Sequence, residues 1–212
     1  MSRTDDHHSD LYQALVMARR FPTLADLDLT AERREVIEQL ASGPRKVDLS
    51  AGIENVPLGP FEALLLSPEL AGRAQAIGEY IRYKSSLPGA VRELAIIFTA
   101  RHWSTPLEWH IHEEIAGREG VSEPVREAVR LQQPVGVPGS MEREVCDFVG
   151  ALLTDGHVDD ATFDAVAERV GMRGALDLTA TVGYYSFLAF VLNVDRYPLP
   201  DGTDAPFSTP RE

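Results

Sequence analysis

Residues 88–114, Pro-Gly-Ala-Val-Arg-Glu-Leu-Ala-Ile-Ile-Phe-Thr-Ala-Arg-His-Trp-Ser-Thr-Pro-Leu-Glu-Trp-His-Ile-His-Glu-Glu, hold two helices and most of the chemically useful groups of the chain. Pro88-Gly89 opens the first, and Ser104-Thr105-Pro106 ends it and opens the second, because proline suits the first helical position and no later one. The spacing predicts helices over about 89–103 and 106–119. Working outward, Ser67-Pro68 starts a helix carried by Leu70, Ala74, Ile77, Tyr80 and Ile81, with Ser67 as its cap. Downstream helices are expected at about 122–131, 140–155, 160–170 and 173–193, separated by Gly120, Pro134 to Gly139, Asp155-Gly156 and Gly171. The last is apolar on most of its circumference, as in a helix buried centrally or at a subunit interface.

Upstream, Leu11, Leu15, Val16 and Met17 give one helical face, and Thr30 caps a second helix. Between Ser42 and Pro60 the breakers Gly43, Pro44, Gly52, Pro57, Gly59 and Pro60 call for a loop or arm. No sustained alternation marks a strand, so the fold class is all-α. The expected division is a disordered tail over 1–9, N-terminal helices and a loop arm over 10–58, a helical domain over 59–195, and an extended tail over 196–212.

The 212 residues suit one domain, and 44% hydrophobic with 25% charged residues is enough to bury a core. With 20 basic against 33 acidic side chains, net −13, the chain repels a phosphate backbone, so nucleic acid is a poor partner. No run is seen to approach the roughly 20 apolar residues of a membrane span. The N-terminus lacks an apolar signal core, so no membrane partner and a cytoplasmic location are expected. Cys146, the one cysteine, can make neither an internal disulfide nor a Cys-x-x-Cys pair.

Glu108 and His112 stand four apart on one helix face, whereas His110 points about 200° away from Glu108. A glutamate and a histidine walled by Trp103 or Trp109 make a workable acid/base pair. Equally, Thr105-Pro106-Leu107-Glu108 reads as a capping box in which Glu108 serves the helix alone. Glu93 sits inside an apolar run, where a carboxylate needs a partner or a raised pKa, unless it forms a surface pair with Arg92. Arg92 is a candidate for a substrate carboxylate or else a solvated charge. His102, Trp103, Trp109 and Tyr184 are the remaining candidates for substrate contact. The di-metal Glu-x-x-His and zinc His-Glu-x-x-His spacings are not met, so no metal is expected.

Arg92-Glu93-Leu94-Ala95 followed by Glu108-Trp109-His110-Ile111-His112 and Ala116-Gly117-Arg118-Glu119-Gly120 resembles the carboxymuconolactone decarboxylase and alkylhydroperoxidase D superfamily. A looser match runs from Gly59 through Tyr184-Tyr185, and the residues before it match poorly. The resemblance places Glu93 at the family's glutamate, Thr105 and Glu108 at its two cysteines, and His112 at its histidine. With both thiols absent, it implies the decarboxylase-type branch on an alkylhydroperoxidase D-like fold. The implied activity is cofactor-independent loss of CO2 from a small carboxylated lactone or related organic acid. His112 is then the leading acid/base, Glu108 its partner, and Glu93 a second acid/base or orienting group. A trimeric or hexameric homo-oligomer is implied as well. An alkylhydroperoxidase-like oxidoreductase and a non-catalytic oligomeric ligand-binding protein stand as alternatives.

Overall fold

Proline, glycine and short polar caps delimit the helices near the expected positions. The computed structural model describes residues 19–43 and 58–209. Within them a 3-10 turn at Leu24–Asp26 precedes eight α-helices, with no strand. These are α1 (Ala31–Ser42), α2 (Pro60–Leu64), α3 (Pro68–Tyr83), α4 (Gly89–His102), α5 (Pro106–Arg118), α6 (Glu123–Arg130), α7 (Met141–Asp155) and α8 (Asp160–Asp195). The expected tail over 1–9, the helical face at 11–17 and residues 44–57 of the arm lie outside the described residues. The short helix α2 was not anticipated: Gly59 enters it at φ 58, a conformation open to glycine, and Pro60 takes its first position.

Thr30 caps α1 by accepting from the Arg33 amide, and Asp159 caps α8 by accepting from Thr162 at 2.7 Å. Ser67 makes no such side-chain bond, so α3 starts on Pro68 without the serine cap expected of it. Gly156 ends α7 in the left-handed conformation, at φ 75. Gly171, at φ 74 and ψ 168, breaks α8 into the two helices that the sequence suggests. By length and composition α8 is apolar enough to cross a membrane, which corrects the expectation that no run approaches that length. Of that apolar window, 56% is buried inside the protein.

Helix α4 is the hub, packed against α5, α6, α7 and α8. Two cores meet along it. Leu94, Ala95 and Ile97 face one, with Trp109, Val145, Phe148 and Leu178. Ile96 faces the other, with Ile37, Leu40, Phe61, Tyr185 and Leu188. The N-terminal helix α1 therefore shares a core with the C-terminal half of α8. That half is not wholly enclosed: Met172, Leu176, Phe190 and Val194 form an exposed apolar stripe along it.

Asp195, fully buried at the end of α8, gathers the N-terminal segment. It accepts from Arg19 Nε and Nη2 at 3.0 and 2.7 Å and from the Phe21 amide at 2.9 Å. Arg19 also reaches Glu62 on α2 at 2.6 Å. The tail past α8 is extended and pinned, with Phe207 edge-on to Trp109 and beneath the Arg101 guanidinium. Asp195→Ala leaves Arg19 and a backbone amide without their shared acceptor, and is expected to lower unfolding free energy by about 3 kcal/mol. Urea unfolding measures it, and a loss below about 1 kcal/mol would mean that water replaces the carboxylate.

Candidate active site

At the seam of the two cores, α4 and α5 bring together Glu93, His112 and Glu108, with 1%, 4% and 4% of their surfaces exposed. Three buried ionisable side chains in one place need partners, since an unpaired buried charge is costly. His112 supplies them. Its Nδ1 lies 2.7 Å from Glu93 Oε2, and its Nε2 lies 3.6 Å from Glu108 Oε2, one turn back on α5. The ring packs edge-on against Tyr185 of α8, centroids 5.0 Å apart.

Burial alone would push the Glu93 carboxyl up. The hydrogen bond and charge of His112, then those of Arg92, outweigh it and hold Glu93 below the usual carboxylate range. An ionised Glu93 can only accept, so His112 Nδ1 carries the hydrogen of that bond and Nε2 is the nitrogen left to exchange a proton. The Tyr185 phenol is raised well above its ordinary value by burial and by the Glu108 charge, and stays protonated.

Arg92 is neither a solvated charge nor half of a surface pair. Its side chain is 14% exposed, donates from Nε to Glu93 Oε1 at 3.0 Å and lies 3.9 Å from Glu119. Glu119 in turn sits over Gly89, where an added Cβ would fall 1.7 Å from its carboxylate oxygen. Acidic and basic side chains thus alternate in the order Glu119, Arg92, Glu93, His112, Glu108.

The capping box does not form, because Thr105 makes no side-chain bond to the first turn of α5. His110, on the opposite side of α5, is exposed. The other candidates for substrate contact are dispersed. Trp109 lies in the α4–α7 core against Phe207. Trp103 donates from its indole to Ser186 at 2.9 Å and stacks edge-on with His102 and Phe190. His102, its pKa lowered by burial, lines a separate cavity of about 120 Å³ with Phe98, Arg101, Val129, Gln132 and Gln133. A groove of about 820 Å³ between α1 and α3, lined by Glu32, Gln39 and Glu69 among others, includes no site carboxylate. Tyr184 is buried one residue from the tyrosine that touches His112. Tyr185 was missed as a site residue because adjacent helical positions differ by about 100° and only the rotation of α8 decides which one faces α5. Among the described residues no group of three or more His, Cys, Asp or Glu is arranged to hold a metal ion.

Because Glu93 titrates below its ordinary value of 4.5, its stabilisation is present in full above that pH and is lost as pH falls through the folded-state value. Glu93→Gln is therefore expected to be less stable than wild type at pH 7, by about 2 kcal/mol, with the gap closing as pH falls below about 4.5. Denaturant titrations at pH 7 and pH 4 measure both, and a gap independent of pH would place the loss in packing. Against known proteins, the chain matches no family model, and a search of curated proteins finds no relative.

Proposed function

We propose that this protein is a cofactor-independent decarboxylase of the carboxymuconolactone decarboxylase type, acting on a small carboxylated lactone or related organic acid. One observation carries the reading: a buried, ionised Glu93 holds His112 by Nδ1 at 2.7 Å, which leaves Nε2 turned toward Glu108. This arrangement, one ring nitrogen fixed by a carboxylate and the other left to exchange a proton, suits a general acid/base.

In the reaction the bond between the substrate's carbon and its carboxylate breaks and CO2 leaves. The electron pair passes through the conjugated alkene to the lactone carbonyl, forming a dienolate. Protonated His112 Nε2 then delivers a proton to carbon as the carbonyl re-forms, and solvent returns the proton by way of Glu108. Glu93 orients the ring and stabilises the imidazolium, and Arg92, committed to Glu93 and Glu119, acts through Glu93. The balance is one substrate carboxylate and one proton in, CO2 and a neutral lactone with a new C–H bond out.

The oxidoreductase alternative requires a reachable thiolate. Cys146 is 5% exposed within the α4–α7 core, and burial pushes its thiol up to about 12, which works against that alternative. In a homo-oligomer of the kind the resemblance implies, the apolar stripe of α8 offers the face for contact.

The test is CO2 release from γ-carboxymuconolactone by chelator-treated protein. Turnover is expected to survive chelation and to fall roughly a hundredfold or more in His112→Ala and in Glu108→Gln. Near-normal rates in both variants would remove them from the chemistry, and ligand binding without turnover would favour a binding protein.

A further inference from the structure

Thr105, at the start of α5, is with Gln75 among the described residues that bury an unpartnered side-chain atom. It is 1% exposed, and its hydroxyl has no hydrogen-bond partner. Its backbone is fully used: the amide donates to Ala100 at 2.9 Å and the carbonyl accepts from Trp109 at 3.2 Å. The residue is therefore held at the start of α5 by its backbone, while its hydroxyl makes no hydrogen bond within the fold. Nor does the hydroxyl cap α5, although the N-cap position is where threonine ordinarily does so.

A buried hydroxyl without a partner costs stability relative to a valine of the same shape, so its presence calls for an explanation outside the unliganded fold. Its position provides one. Thr105, Glu108 and His112 are spaced three and four residues apart and share one face of α5. The hydroxyl also stands at the positive end of that helix, where Pro106 brings no N–H and negative charge on a ligand oxygen is favoured.

We infer that the Thr105 hydroxyl, at the N-terminus of α5, is the donor that receives the carbonyl oxygen of the substrate and holds the negative charge that develops there. The inference rests on the decarboxylase reading, in which an enolate oxygen forms, and it locates that oxygen within the site. The ligand class is a small lactone or other conjugated carbonyl compound, with the carbonyl at Thr105 and the carbon to be protonated toward His112. The hydroxyl is sealed from solvent in this state. A ligand reaches it only by displacing a neighbouring side chain.

The test uses the full chain as wild type, Thr105→Val and Thr105→Ser, with 2(5H)-furanone as the probe, a lactone carbonyl that bears no carboxylate to lose. Without ligand, Thr105→Val is expected to melt a few degrees higher than wild type, roughly 2–4 °C, since it removes an unpaired buried hydroxyl at nearly constant volume. The infrared carbonyl stretch of the bound probe should move to lower wavenumber in wild type and Thr105→Ser. Thr105→Val should lose that shift and bind roughly tenfold more weakly. Three results would overturn the inference: a Thr105→Val protein that melts lower than wild type while Thr105→Ser does not, a carbonyl shift that persists in Thr105→Val, or no binding-dependent shift in wild type. Failure of the decarboxylase reading alone looks different. There, wild type binds the furanone with the Thr105-dependent shift but releases no CO2 from the carboxylated lactone.

Discussion

The contact between Glu93 and His112 ties α4 to α5 at the point where the two hydrophobic cores meet. Neither side chain could be placed there by itself. A lone carboxylate in the apolar run of α4 would be pushed toward its protonated form by burial. Together, with Arg92 behind Glu93 and Glu108 beyond His112, they form a series in which acidic and basic side chains alternate. The position of α5 on α4 is thereby set by polar geometry as well as by apolar packing, and rotation of either helix by one residue would separate the pair.

The same contact divides the labour within the site. Because Glu93 occupies Nδ1, proton exchange is left to Nε2, and the tautomer follows from the fold. Tyr185 closes the face of the ring, and Thr105 and Glu108 line up with His112 along α5. Elsewhere the buried carboxylates of Asp195 and Asp177 are closely satisfied. Asp195 accepts three hydrogen bonds, and Asp177 accepts from Tyr80 and from both the amide and the hydroxyl of Ser86. The Thr105 hydroxyl, like Gln75 Oε1, is by contrast buried without a hydrogen-bond partner.

Much of the fold was legible in the sequence because breakers and caps act locally. Pro88-Gly89, Pro106, Gly156 and Gly171 each end or start a helix for reasons contained within a few residues. The errors arose where a local pattern met a tertiary alternative. Thr-Pro-Leu-Glu is a capping box in one dimension, yet Glu108 is directed to His112 and the Thr105 hydroxyl to no partner in the protein. Arg92 has the composition of a surface charge, yet α5 brings Glu119 to its side and leaves it largely buried. Between Tyr184 and Tyr185, helical periodicity offers no choice without the angle at which α8 is packed.

By itself the sequence determined the helical class, the positions of most helix ends, and the grouping of Glu108 with His112, all consequences of backbone sterics and a 3.6-residue period. It also determined that disulfide chemistry within one chain is impossible, which follows from a single cysteine. Only the tertiary structure decided that Glu93, nineteen residues before His112, is its hydrogen-bond partner, and that Tyr185 lies over the ring. Those contacts depend on how α4, α5 and α8 are turned about their axes. Packing of side chains from all three helices sets that rotation, and it leaves no local trace in the chain.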